Sequence, residues 1–199
     1  EINNTDEIIV FSNEENPFYN RVLLPEYVTA ELSWESLLKI KDEALGLLNI
    51  TMKSGVAIEN VNATDKIITD SQGKIHQFDT LIMATGSRPF IPENAQLHLP
   101  GRFTIRKKND ADRLKEYLEG TNLPAEEQHV VIVGGGLLGL ELAAALKHKK
   151  AKITIIQRAS RLMERQLDRI SSKLLAEEVQ QRDIQIYFDI RKAEYIYFD

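Results

Sequence analysis

Val130-Val131-Ile132-Val133-Gly134-Gly135-Gly136-Leu137-Leu138-Gly139 is the stretch on which the fold turns. Val130 to Val133 read as a buried strand, and glycines 134, 136 and 139 make the pattern G-x-G-x-x-G. The pattern carries weight only where a strand precedes it and a helix follows. Leu137 to His148 reads as that helix, and Ala151 to Ile156 as a second strand. Each glycine has a mechanical task. Gly134 allows the tight turn, Gly136 lets a pyrophosphate approach the backbone, and Gly139 lets the helix close on the strand. The helix N-terminus then offers free N–H groups and a positive dipole end to phosphates. Lys147, His148, Lys149 and Lys150 stand at the other end, where cations suit the dipole. The candidate cradle is Gly134, Gly135, Gly136, Leu137, Leu138 and Gly139.

Asp168 to Arg182 follows as an amphipathic helix and Ile184 to Phe188 as a third strand. The second half thus alternates β-α-β-α-β, the pattern of a parallel sheet with crossover helices. The end of the second strand discriminates between dinucleotides. An acid there binds a ribose 2′-hydroxyl, and arginines suit a 2′-phosphate. The residues are Gln157, Arg158 and Arg161. Gln157 can hydrogen-bond a hydroxyl without repelling a phosphate, so NADH and NADPH both stay open at this point.

Ahead of the glycine stretch, Asn109 to Leu118 reads as a charged helix with Ala111, Leu114 and Leu118 on one face. Before it, Pro89, Pro92, Pro100 and Gly101 mark a loop and a domain boundary. The expected domains are residues 1–102 and 103–199. In the first, Glu7 to Phe11 reads as a strand, Asn16-Pro17 as a loop, and Pro25 as a break. Trp34 to Ile50 has helical spacing, and Ile50 to Asn62 is a mixed strand region. Lys66–Thr69 and Lys74–Phe78 read as a hairpin turned by Gly73. Thr80 to Ala84 is a continuous apolar run, the signature of a central strand.

Composition bounds the function. The 199 residues are 43% hydrophobic and 28% charged, ordinary for a globular protein. The net charge of −5 argues against a nucleic-acid partner. There is no cysteine, which excludes thiol, iron–sulfur and Cys-zinc chemistry within these residues and fits a cytoplasmic protein. His76, His98, His129 and His148 share no metal-ligand spacing, so no metal is expected. The most apolar stretch, Val130 to Leu146, holds four glycines and Glu141 and makes a poor membrane helix. Glu1 to Asn20 lacks the apolar core of a signal peptide. The chain opens without methionine and closes within a strand-like run, and it is expected to be a piece of a longer protein.

A family resemblance emerges from several segments together. Asp79-Thr80-Leu81-Ile82-Met83-Ala84-Thr85-Gly86-Ser87-Arg88-Pro89 resembles the A-T-G segment of two-dinucleotide flavoprotein reductases (FAD-dependent pyridine nucleotide oxidoreductases). Arg106 with Asp110-Ala111 resembles the R-x-x-x-D-A that opens their second domain, and Glu141 completes G-x-x-G-x-E. Asn16 to Leu24 resembles their flavin-contacting stretch. Leu162-Met163-Glu164-Arg165-Gln166-Leu167-Asp168 is narrower, and is similar to a segment of the large subunit of NAD(P)H-dependent nitrite reductases. The family's first glycine motif, its later G-D motif and its C-terminal interface domain have no counterpart in these residues.

The resemblance implies an α/β fold: a Rossmann-like NAD(P)H-binding domain beside a truncated FAD-binding domain. It implies that hydride passes from NAD(P)H to FAD and that electrons leave for an acceptor, either a siroheme and iron–sulfur module or a rubredoxin-like protein. It also leaves room for a homodimer. By the same resemblance Glu14, or its neighbour Glu15, would bind the FAD ribose, Arg21 the flavin phosphates, and the Ile58 backbone the adenine. Ala84, Thr85 and Gly86 would pack on the FAD, Arg106 would reach it near the domain crossing, and Glu141 would be the catalytic acid beside the nicotinamide. Glu26 occupies the place of a lysine that ferredoxin-type reductases carry beside the flavin. Two further functions stay open: a rubredoxin or ferredoxin reductase or NADH oxidase on the same fold, and a dinucleotide-binding module without catalysis.

Overall fold

A computed structural model describes residues 6–40, 42–92 and 95–190. In chain order the elements are β1 (Ile8–Ser12), α1 (Leu24–Val28), α2 (Trp34–Leu37), α3 (Asp42–Leu47), β2 (Ile50–Ser54), β3 (Ile58–Asn62), β4 (Ile67–Asp70), β5 (Ile75–Gln77), α4 (Lys108–Gly120), β6 (His129–Val133), α5 (Leu137–His148), β7 (Lys152–Ile156), α6 (Arg169–Gln181) and β8 (Ile184–Tyr187). They form two compact units. One comprises residues 1–20 and 34–88, the other residues 21–33 and 89–199.

The second unit holds the glycine loop. Its sheet has the order β6-β7-β8 and is parallel throughout. Val133 pairs with Ile156, which in turn pairs with Tyr187. Parallel neighbours need crossovers, and α5 and α6 supply them. β7 is the central strand, and its Ile153 and Ile155 are buried with Ala143, Leu146, Leu162, Val179 and Ile184. The Asp168 side chain caps α6 by accepting the Ser171 N–H at 2.7 Å. That bond holds its carboxyl below the usual carboxylate range. At the start of α4 the Asp110 carboxylate accepts the N–H groups of Arg106 (3.0 Å) and Lys107 (2.9 Å), and Ala111 is fully buried behind it. The R-x-x-x-D-A segment is therefore a helix start: one acid for two orphan donors, and one small residue for close packing. Tyr27 of α1 donates to Asp112 of α4 at 2.7 Å, and Lys108 reaches the other oxygen of Asp112.

The first unit contains a two-stranded parallel sheet, β1 with β2, and a three-stranded antiparallel sheet ordered β3-β4-β5. The expected hairpin forms, with Gly73 at φ +79°. Its turn is organised by buried Asp70, which accepts the N–H groups of Gln72 and Lys74, each at 2.9 Å, and lies 2.8 Å from the His76 ring nitrogen.

Three expectations require correction. The helical spacing from Trp34 to Ile50 resolves into two short helices. Between them Leu38 forms a β-bridge with Tyr19, and the Lys39 N–H donates to the Phe18 carbonyl at 2.9 Å. Backbone pairing with a distant segment overrides local periodicity there, and Asn49 at φ +53° ends the second helix. Pro25 starts a helix instead of breaking one. It occupies the first turn of α1, where a missing N–H costs nothing. Thr80 to Ala84 is not a strand, and Ile82 and Met83 are 84% and 69% exposed. An apolar run becomes a strand only against another strand's hydrogen-bonding edge. No described strand pairs with this one.

Truncation at the centre of β7 should be costly. Ile155 is 0% exposed, so Ile155→Ala should lower unfolding free energy by about 2–5 kcal/mol, read from the midpoint of urea denaturation.

Candidate functional site

The loop between β6 and α5 uses its glycines for different physical reasons. Gly134 has φ +118° and donates its N–H to the Ile156 carbonyl at 2.8 Å. A β-carbon at Gly139 would collide with the Gly134 carbonyl oxygen, so α5 can approach β6 only if residue 139 has none. A β-carbon at Gly135 would collide with Leu162. Gly136 differs, since a β-carbon there would meet nothing within 4 Å. The protein leaves space above Gly136 and does not fill it.

Gly136 is also the N-cap of α5, in extended conformation and with no side-chain cap. The first turn of any helix has N–H groups without intrahelical acceptors. Here they belong to Leu137, Leu138 and Gly139, and the side chains of Leu137 and Leu138 are exposed. An uncapped helix start beside an open glycine fits an anionic pyrophosphate.

The rest of this edge is tied to the loop. Gln157 is buried, and its Oε1 accepts the Gly135 N–H at 2.8 Å. Its Nε2 donates to the Arg161 carbonyl at 3.2 Å. The Gly135 carbonyl in turn accepts the Met163 N–H at 3.0 Å. Arg161 donates from Nη2 to the Glu164 carbonyl at 2.9 Å, while its Nε is buried with no acceptor. Arg158 is exposed.

Three more of the expected residues lie together in this unit. Arg21, Arg106 and Leu138 line a cleft of about 80 Å³ with Leu24, Pro25 and Ile105. Arg21 donates from Nη1 to the Arg106 carbonyl at 2.8 Å. Glu141, one turn beyond Leu138 on α5, has a partner in Glu26 of α1. Each has a carboxylate oxygen buried without a hydrogen bond. Burial, and then the charge of Glu26, raise the Glu141 carboxyl above its ordinary value. The sequence shows Glu26 only as a missing lysine. Its pairing with Glu141 depends on α1 packing against α5, which no local pattern announces. A larger open hollow of about 670 Å³ against α4, bordered by Phe103, Arg113 and Tyr117, holds none of the expected residues.

The remaining expected residues belong to the first unit. Glu14 follows β1, accepts the Tyr19 hydroxyl at 2.8 Å, and takes the Gly55 N–H on its backbone carbonyl at 3.0 Å. Glu15 beside it is exposed. Ile58 opens β3 opposite Asp70. Ala84, Thr85 and Gly86 form an exposed segment without regular structure, with Gly86 at φ +68°. No helix among the described residues is long and apolar enough to cross a membrane.

Comparison with known proteins fits this geometry. A family model described as pyridine nucleotide-disulphide oxidoreductase matches residues 3–196, and the chain belongs to that family. It is 28% identical over 178 residues to the assimilatory nitrate reductase electron transfer subunit of Bacillus subtilis, covering 89% of this chain and 22% of that protein. It is 30% identical over 180 residues to the nitrite reductase [NAD(P)H] large subunit of Klebsiella oxytoca, covering 90% of this chain and 18% of that one. The chain thus spans about a fifth of the length of these relatives. Among solved structures, a ferredoxin reductase from Rhodopseudomonas palustris shares the fold with a TM-score of 0.86 at 20% identity, over 98% of this chain and 46% of that one. The NADH:rubredoxin oxidoreductase of Clostridium acetobutylicum does so with a TM-score of 0.78 at 24% identity, over 94% and 48%.

Two substitutions separate the glycines. Gly139→Ala should cost about 1–3 kcal/mol or more, because backbone would have to move. Gly136→Ala should leave the melting temperature nearly unchanged. A third tests the acid pair. A carboxyl raised in the folded state favours folding most below its ordinary value of 4.5, and that contribution is lost as pH rises through the raised value. Glu141→Gln should therefore raise the melting temperature at about pH 7, with the gain vanishing near about pH 4.

Proposed function

We propose that the chain is the nucleotide-binding part of an NAD(P)H-dependent FAD oxidoreductase, the flavoprotein portion of a nitrite reductase-like enzyme. The observation that carries this reading is the difference among the glycines. Gly134 is required by its backbone angle of φ +118°, and Gly135 and Gly139 by close contacts with Leu162 and the Gly134 carbonyl, whereas Gly136 has neither a positive φ nor a neighbour that a β-carbon would meet within 4 Å. A bare, uncapped helix start is what a dinucleotide phosphate needs.

In this reading residues 103–199 form the NAD(P)H-binding domain and residues 1–102 contribute to the FAD-binding domain. The Gly134–Gly139 loop holds the NAD(P)H pyrophosphate, with Gln157 and Arg158 at the adenosine side. Arg21 and Arg106 face the FAD from their shared cleft, while Glu14, Ile58 and the Ala84–Gly86 backbone supply its other contacts. When bound, the nicotinamide supplies a hydride and the flavin accepts it and passes electrons onward. Glu141, one turn into α5, lies near Glu26 of α1, each with one buried carboxylate oxygen, and the raised Glu141 holds its proton to higher pH than a free glutamate. The chain has no cysteine, so a disulfide step lies outside these residues. The acceptor is proposed to be a siroheme and iron–sulfur module. Relatives named as nitrite and nitrate reductase subunits support that choice over a rubredoxin-type acceptor.

Gly136→Val tests the loop. It should preserve the circular dichroism spectrum and weaken NADH and NADPH by about ten- to hundredfold, the value of a lost charge-assisted contact. Unchanged affinity by fluorescence titration would remove the assignment.

A further inference from the structure

The open hollow of about 670 Å³ against α4 shares no residue with the glycine loop or with the cleft of Arg21 and Arg106. Its volume falls within the range of small-molecule sites, about 300–1,000 Å³. Two segments build it: the loop of residues 98–103, and the side of α4 that carries Arg113, Glu116 and Tyr117. Spacings of three and four residues bring those three side chains to one face of the helix. Gly101 lets the loop lie against that face. It stands at φ +74°, and a β-carbon there would come within 2.9 Å of the Tyr117 hydroxyl oxygen. Arg102 ties the same loop together, donating from Nη1 to the Ala95 carbonyl at 2.9 Å and to Gln96 Oε1 at 3.3 Å.

The lining is aromatic and cationic. The rings of Phe103 and Tyr117 are tilted by 58° with centroids 5.2 Å apart, and Tyr117 is 42% exposed. The Arg113 guanidinium lies 6.0 Å from the Phe103 ring centroid. Arg113 is exposed and makes no hydrogen bond or ion pair among the described residues. Asp112 beside it in sequence is already engaged, by the Tyr27 hydroxyl and by Lys108. Among the described residues that line the hollow, Glu116 is the one acid against Arg102 and Arg113. The balance there is positive, although the chain carries a net charge of −5.

An inorganic anion would use the arginines and leave the rings bare. An aliphatic ligand would use the rings and leave the arginines unanswered. A nucleotide uses both: every base has a π-face to lay on an exposed ring, and a phosphate takes charge-assisted bonds from a guanidinium. We propose that the hollow is a mononucleotide site, with the base stacked on Tyr117 and the phosphate held by Arg113. Arg102 holds the loop in place and adds positive charge. The site is separate from the dinucleotide cradle proposed above and does not depend on it.

The test is titration of the nitrogen-15-labelled protein with AMP, followed by the backbone amide resonances. Those of Gly101, Phe103, Tyr117 and Gly120 should move together and saturate with one dissociation constant. Tyr117→Ala should weaken that binding by about ten- to hundredfold, the value of a lost base–aromatic stack. Tyr117→Phe keeps the ring and should bind as the wild type does. Arg113→Ala removes an exposed side chain and should weaken AMP by about tenfold or more, so it tests the site even where Tyr117→Ala loosens the loop. Glu116→Gln should tighten binding by about two- to fivefold. Resonances of the hollow that do not move with AMP overturn the proposal, as do equal shifts with inorganic phosphate or an affinity unchanged in Arg113→Ala. The amides of Gly134 to Gly139 report the other site in the same spectra. If they alone respond, the hollow is not a nucleotide site and the dinucleotide reading stands.

Discussion

The carbonyl oxygen of Gly134 lies where a β-carbon of residue 139 would have to be. That close approach lets α5 begin directly behind β6, and the rest of the site follows from it. The helix N-terminus is aimed over the sheet edge, the first-turn N–H groups are left without acceptors, and Leu138 is delivered to the cleft that holds Arg21 and Arg106. Glu141 follows one turn later, facing Glu26. One missing methyl group thus sets the position of an uncapped helix start and of a half-buried acid together.

The loop is held from its far side as well. Gly135 is pinned through its N–H by Gln157 and through its carbonyl by Met163. The turn after β7 is folded onto the loop by Leu162, which is fully buried. Its carbonyl receives the Ser172 hydroxyl at 2.6 Å, so α6 is attached too. Such a site is preorganised. A ligand binding there need not order the backbone, and the entropy of doing so is already met by the packing of the sheet.

The paired acids are an exception to the rule that buried polar groups find partners. Glu26 and Glu141 each keep a buried oxygen without one, and α1 and α5 hold them there against their mutual repulsion. Segment 21–33, which carries Glu26, belongs to the second unit although it lies between β1 and α2 in the chain. Its attachment rests on Tyr27, whose hydroxyl meets Asp112, with Lys108 and Lys115 over its ring.

Much of this was legible in the order of residues. The alternation of apolar runs with glycine and capping residues in the second half defines β6-α5-β7-α6-β8, because each element is built from neighbours in sequence and its hydrogen bonds close locally or onto the next strand. The hairpin around Gly73 is legible for the same reason. Other features are not local. The helical spacing from Trp34 loses to the Tyr19–Leu38 bridge, and the apolar run at Thr80 finds no strand to pair with among the described residues. Sequence order places Gln157 at the end of β7, but only the tertiary structure shows its amide turned inward onto Gly135. Sequence by itself determined that a glycine turn joins β6 to α5 and which residues compose it, since the backbone angle at Gly134 and the close approach at Gly139 demand glycine at fixed spacing. Which polar groups there are already spent, and which remain for a ligand, was decided by the packing of α1, α5 and the 157–163 turn, because a hydrogen bond between distant residues leaves no periodic trace in the chain.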